Sequence, residues 1–141
     1  MASEPNIAAA WLYSTLAGDV TLAGLVGTRI YEDIRPANVS TFPYIVFQLQ
    51  SPGSDLMVVG TARVWVPLLY TVRGIAQGRS YGGTLATIAD RIDALLHGRQ
   101  ADVSGGRVQS YRERPFRLPE RTSEIDYRHL GGEYRILTQA T

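Results

Sequence analysis

Ile7, Ala8, Trp11, Leu12 and Thr15 recur at i, i+1, i+4, i+5 and i+8, the spacing of one helical face, which predicts a helix over about 6–17. Ala10, Tyr13 and Leu16 fall off that stripe, so more than one side of this helix is expected to be covered. Asn6 is placed to cap it and Gly18 to stop it. Asp19 is then placed to cap a shorter helix that carries Leu22, Leu25 and Val26 and ends at Gly27. Residues 30–36 read as extended or irregular. The run from Tyr44 to Gln50 is rich in β-formers and reads as a strand, with Ile45, Phe47 and Leu49 on one face and Tyr44, Val46, Gln48 and Gln50 on the other. Ser51-Pro52-Gly53-Ser54-Asp55 breaks it, and a loop is expected as far as Gly60. A second strand over 62–73 alternates Val64, Val66, Leu68, Tyr70 and Val72 with Arg63, Trp65, Pro67, Leu69 and Thr71. Pro67 cannot donate to a ladder, so it implies an edge or a bulge.

The strongest periodicity lies over about 80–97, where Tyr81, Leu85, Ile88, Ala89, Ile92, Leu95 and Leu96 share one face of a helix closed by Gly98. Residues 107–114 read as a strand, Pro115 and Pro119 bracket an irregular stretch, and a last strand covers 133–139 with Tyr134 and Ile136 inward. Strands that come in consecutive pairs between helices predict an α+β fold: an antiparallel sheet of about four strands with helices packed on one face.

Composition narrows the chemistry. The chain of 141 residues is long enough to hide roughly two-thirds of its unfolded surface. At 45% hydrophobic and 19% charged it is too apolar for a disordered chain. With no cysteine, it has no disulfide, thiolate nucleophile or cysteine-ligated metal. All fourteen Lys+Arg residues are arginine, which removes lysine chemistry as well. A net charge of +1 argues against sequence-independent attraction to polyanions. No apolar run is long enough to span a bilayer, and the N-terminus lacks the features of a secretory signal, so no membrane partner and use or assembly inside a cell are expected.

The individual candidates for chemistry have plainer explanations. Glu32 and Asp33 are adjacent on an extended chain and point apart, as expected of a solvated loop. Asp90 and Asp93, one turn apart with Arg91 between them, suit a charge-balanced helix surface. His97 sits in the last turn, where an imidazole favours the helix dipole. Ser123, Asp126 and His129 crowd one short segment, which does not make a hydrolase triad. Gly78-Arg79-Ser80-Tyr81-Gly82-Gly83 lacks both the Walker lysine and dinucleotide spacing, so it reads as a flexible lead into the helix. No catalytic, cofactor-binding or metal-binding residues are therefore assigned.

Two features point to protein contacts. Between Arg107 and Arg135, seven arginines interleave with Tyr111, Phe116, Tyr127 and Tyr134, but five carboxylates leave a balance of only +2. That favours a protein interface, with Arg112, Arg114, Arg117 and Arg121 as contact candidates, over nucleic acid. Leu56, Met57, Val58 and Val59 stand in a row in the expected loop with Asp55 at their polar rim. Apolar residues at a loop tip suit a contact with another subunit; the alternative is that the loop folds back over its own sheet.

Three blocks carry a family resemblance. Trp11 to Leu16, then Asp19 with Leu22 to Tyr31 (Leu-Ala-Gly-Leu-Val-Gly-Thr-Arg-Ile-Tyr), then Phe42 to Gln48 (Phe-Pro-Tyr-Ile-Val-Phe-Gln), resemble in order and spacing the small tail-completion proteins of tailed bacteriophages. The resemblance extends to the later strand, helix and tyrosine-bearing strand, and implies one tail-terminator-like domain over 1–141. It implies a non-enzymatic virion protein assembled in the host cytoplasm and located at the head-proximal end of the tail. Such subunits form a homo-hexameric ring that caps the tail tube, ends its polymerisation and presents a surface to the head connector. Its partners would be itself, the tube protein and the connector or neck protein, with DNA only passing through the ring. The alternative is another neck or head-completion protein.

Overall fold

The computed structural model describes residues 4–38, 40–51, 56–59 and 62–140, with backbone alone at 51, 56–59 and 62–64. Along the chain run α1 (Glu4–Ala17), α2 (Val20–Val26), β1 (Ile30–Glu32), β2 (Tyr44–Ser51), β3 (Leu56–Val59) and β4 (Ala62–Gln77). They are followed by α3 (Thr84–Leu96), β5 (Arg99–Val103), β6 (Gly106–Thr122) and β7 (Ile125–Ala140). The strands form one sheet in the order β1-β2-β4-β7-β6-β5, with β3 paired to β4. β1 and β2 are parallel and every other pair is antiparallel. The α+β class is as expected, but about four antiparallel strands was too few: the described residues hold seven, one pair of them parallel. β1 and β5, at three and five residues, are too short for alternation to single out.

All three helices cover one face. Ile7, Trp11, Leu12 and Leu16 of α1, Leu22 and Val26 of α2, and Ile88, Ile92 and Leu96 of α3 are buried against Phe47, Leu68, Tyr70, Val72, Tyr134 and Ile136 of the sheet. The Tyr70 hydroxyl donates to the Pro5 carbonyl at 3.2 Å, fixing the start of α1. Among the described residues no single helix is long and apolar enough to cross a membrane; α1 and α2 are bent by 81° at their junction.

Asp19 makes that junction. Its Oδ2 accepts from the Leu22 amide at 3.0 Å, which satisfies an N-terminal donor of α2. The same carboxylate takes Arg91 Nε and Nη2 at 3.0 and 2.6 Å, so one side chain both caps α2 and ties it to α3. These bonds, that to Arg91 first, hold the Asp19 carboxyl below its ordinary range.

α3 begins at Thr84, later than periodicity predicts, because Gly82 and Gly83 precede it and Gly83 takes φ 65°. Tyr81 is therefore off the inner helical face, and the guanidinium carbons of Arg117 and Arg128 lie 3.8 and 5.5 Å from its ring centroid. At the other end, the His97 ring does not serve the helix dipole as expected. Its Nδ1 accepts from the Arg112 amide at 2.9 Å, beside the bulge between Arg112 and Arg114.

The stretch from Pro115 to Pro119 is strand, not irregular. β5 pairs β6 only over Gly106–Ser110, so the outer edge of β6 beyond Ser110 has no strand partner among the described residues. Proline lacks only an outward N–H there, and prolines and charges on such an edge discourage indiscriminate pairing. Pro67 is accommodated similarly: β2 pairs β4 from Leu69 onward and β3 pairs it up to Trp65, so among the described residues no strand pairs Pro67 on that side.

Candidate assembly surface

β3 and the start of β4 form an arm. β4 pairs β7 from Gln77 back to Val66, whereas residues 62–65 pair, among the described residues, only with β3. β7 itself continues to Ala140 alongside β6, so the arm parts from the sheet rather than merely outlasting it. The loop expected over 51–60 thus contains a strand, at Leu56–Val59; Asp55 lies outside the described residues. Four consecutive apolar residues made this segment look like an unpaired tip, because only its pairing with Ala62–Trp65 identifies it as a strand.

The four arginines do not form one patch. Arg112 stands opposite Tyr134 on the helix-bearing face, 3.6 Å from Asp93. The bulge then shifts the register, so Arg114 stands opposite Glu133 on the other face, with ion pairs of 2.6 Å to Glu133 and 3.3 Å to Glu113. Arg117 stacks on Tyr81, and Arg121 meets Asp126 at 2.9 Å, where Arg79 also binds at 2.7 Å. Arg121 and Arg79 hold the Asp126 carboxyl far below its usual range. Arg135, then Arg114, lower that of Glu113. Exposed pairs of this kind contribute little stability each, but they hold the β6–β7 surface in one arrangement. Asp93 also accepts from the Tyr134 hydroxyl at 3.0 Å, so it belongs to this packing rather than to a purely solvated face.

The face opposite the helices carries a feature that residue-by-residue reading missed. Tyr44, Val46 and Ile75 form a small cluster with Tyr31 and Phe42. Beside it opens a pocket of about 220 Å³ lined in part by Asp33, Arg35, Arg73, Glu120, Tyr127 and His129. Arg73 Nε donates to His129 Nδ1 at 3.0 Å, so the ring's proton sits on Nε2 and is donated to Glu120 Oε1 at 2.7 Å. Burial lowers the imidazole and outweighs the opposing pull of Glu120. Burial likewise lowers Arg73 from its ordinary value. Ser123, Asp126 and His129 do not converge: Asp126 is held by arginines while His129 is held by Glu120 and Arg73. The alternation in β2 did place Tyr44 and Val46 on a second face, but nothing local links Glu120 to His129. No group of three or more His, Cys, Asp or Glu among the described residues is arranged to hold a metal ion.

The arm, the proline-guarded edge and the ion-paired hairpin are parts of a sheet scaffold with helices on one face. Residues 10–139 match the family model of the tail completion protein gp17, and the chain belongs to that family of structural phage-tail proteins. A chain in the virion of a native gene transfer agent particle shares the fold, with a TM-score of 0.68 at 19% identity, covering 99% of this chain and 100% of that one. No curated protein matches by sequence.

Proposed function

We propose that this protein, as one terminator domain, is the tail terminator: a closed ring of six copies that caps the tail tube, stops its growth and presents a surface to the head connector. The observation that carries this reading beyond family membership is the arm formed by 56–59 and 62–65, which parts from its own sheet and whose β3 sequence is apolar at all four positions. A ring requires a heterologous contact, one patch on each copy meeting a different patch on the next, and a projecting arm supplies such a patch. Asp55 beside β3, and separately Arg112, Arg114, Arg117 and Arg121 on the two faces of β6, are proposed as further polar contacts of the subunit. The ring sits at the head-proximal end of the tail, and DNA passes through it. The fold shared with a chain in a gene transfer agent virion supports placement within a particle.

The test replaces Leu56-Met57-Val58-Val59 by Ser and Gly residues. The thermal midpoint of the free subunit should hardly change, while tube capping is lost and tubes grow overlong. Unfolding, or normal capping, defeats the reading. Mass measurement on tube-bound protein should give a closed ring, and a lone subunit would contradict it. Wild-type protein that binds connector but not tubes would assign it instead to another neck or head-completion role.

A further inference from the structure

The pocket opposite the helices has hydrogen-bond donors that no described residue accepts from. Arg35 stacks on Phe42 and Tyr44, with its guanidinium carbon 5.0 and 5.3 Å from the ring centroids, and its Nη1 is buried without a partner. Arg73, half-buried at the pocket wall, donates through Nε to His129 and has its guanidinium carbon 5.6 Å from the Phe116 ring centroid, and its Nη groups make no hydrogen bond among the described residues. Among the described residues neither arginine has a carboxylate within ion-pair distance, and the Tyr44 and Tyr127 hydroxyls have no hydrogen-bond partner. The acceptors, by contrast, are occupied: Glu120 Oε1 takes His129 Nε2 at 2.7 Å and Oε2 takes the Thr122 hydroxyl at 3.1 Å. Asp33, at the exposed rim, is the one remaining carboxylate among the residues that line the pocket.

A buried guanidinium N–H without an acceptor is costly, and two arginines with two phenols present donors from several directions. Such a site suits a small planar anion, because guanidinium geometry matches a carboxylate's two oxygens. We infer that this pocket binds a carboxylate, and that in the assembled particle an acidic side chain of an adjoining protein subunit fills it. The second half of that inference rests on the assembly role proposed above; the first does not.

The test begins with the free protein. There are only two histidines, so ring-proton resonances of His129 and His97 are readily told apart, and His129 borders the pocket. Titration with potassium acetate against potassium chloride at constant ionic strength should shift His129 saturably and leave His97 unmoved. Arg35→Gln should weaken acetate binding at least tenfold without moving the thermal midpoint, because Arg35 lies outside the strands. Tyr127→Phe, which removes only a hydroxyl, should weaken it severalfold, and Asp33→Asn should tighten it. No saturable shift, undiminished binding in Arg35→Gln, or phosphate binding tenfold tighter than acetate overturns the assignment. In assembly, Arg35→Gln should fail to cap tubes that the wild type caps; normal capping overturns the occupant. If the wild type itself does not cap, the terminator reading fails, while the acetate result still decides the pocket.

Discussion

Gly131 stands in β7 opposite Arg73 of β4 and Phe116 of β6. A Cβ added there would meet the Val72 carbonyl oxygen at 2.1 Å, Arg73 Cα at 2.6 Å and the Val72 carbonyl carbon at 2.9 Å. These are backbone atoms of a central strand, so no side-chain rotation relieves the clash. Non-bonded carbons settle at about 3.5–4.0 Å, so Gly131→Ala must open the β4–β7 ladder by more than about an ångström. Each flanking ladder bond lost costs about 1 kcal/mol net, and up to about 3 where a buried group is left unpaired. Against this, alanine reduces unfolded-chain freedom by only about 0.4–1 kcal/mol. The expected loss is therefore about 2–4 kcal/mol, a fall in thermal midpoint of roughly 10 °C for a chain of this length. Urea unfolding followed by tryptophan emission reads it, since Trp11 lies in the core. Gly24→Ala is the matched control: its added Cβ meets nothing within 4 Å inside α2, so the same chemical change should raise stability by about 0.5–1 kcal/mol. A Gly131→Ala cost below about 0.5 kcal/mol, within the range of ordinary surface changes, would refute the close approach of the two strands.

Leu85→Ala and Ile92→Ala should each cost about 2–5 kcal/mol in the same assay, because both side chains are buried under α3 and leave cavities. A cost below about 0.5 kcal/mol at both positions would mean that the inner face of α3 is misassigned. Burial lowers the His129 imidazole below its ordinary 6.5, so as pH falls through that value the unfolded chain binds a proton that the fold resists, and stability drops until the folded ring protonates. Arg73 and Glu120 are the charged groups in contact with the ring, the first opposing and the second favouring its protonation. Unfolding free energies at about pH 7.5 and about pH 5.5 should differ less in His129→Asn than in the wild type, and an equal drop would show that another group is responsible.

What the sequence determined by itself is the part of the protein written in local periods. The inner faces of α1, α2 and the body of α3, and the two faces of β2 and β4, follow from spacings of 3.6 and 2 that hold wherever the element lies. Asp19 was legible as a cap because an N-cap bond closes within three residues. Its second bond, to Arg91 seventy-two positions away, was not. Tertiary structure decided which segments pair and in what register. Pairing turned Leu56–Val59 from loop into arm and carried β6 through two prolines on an open edge. A bulge at one residue put Arg112 and Arg114 on opposite faces, where uninterrupted alternation would have put them together. Register also brought Arg35, Arg73, Glu120 and His129, from four separate stretches, to one pocket. Strand pairing is a contest among distant segments, settled by burial and by where ladders can close, and no local pattern records its outcome.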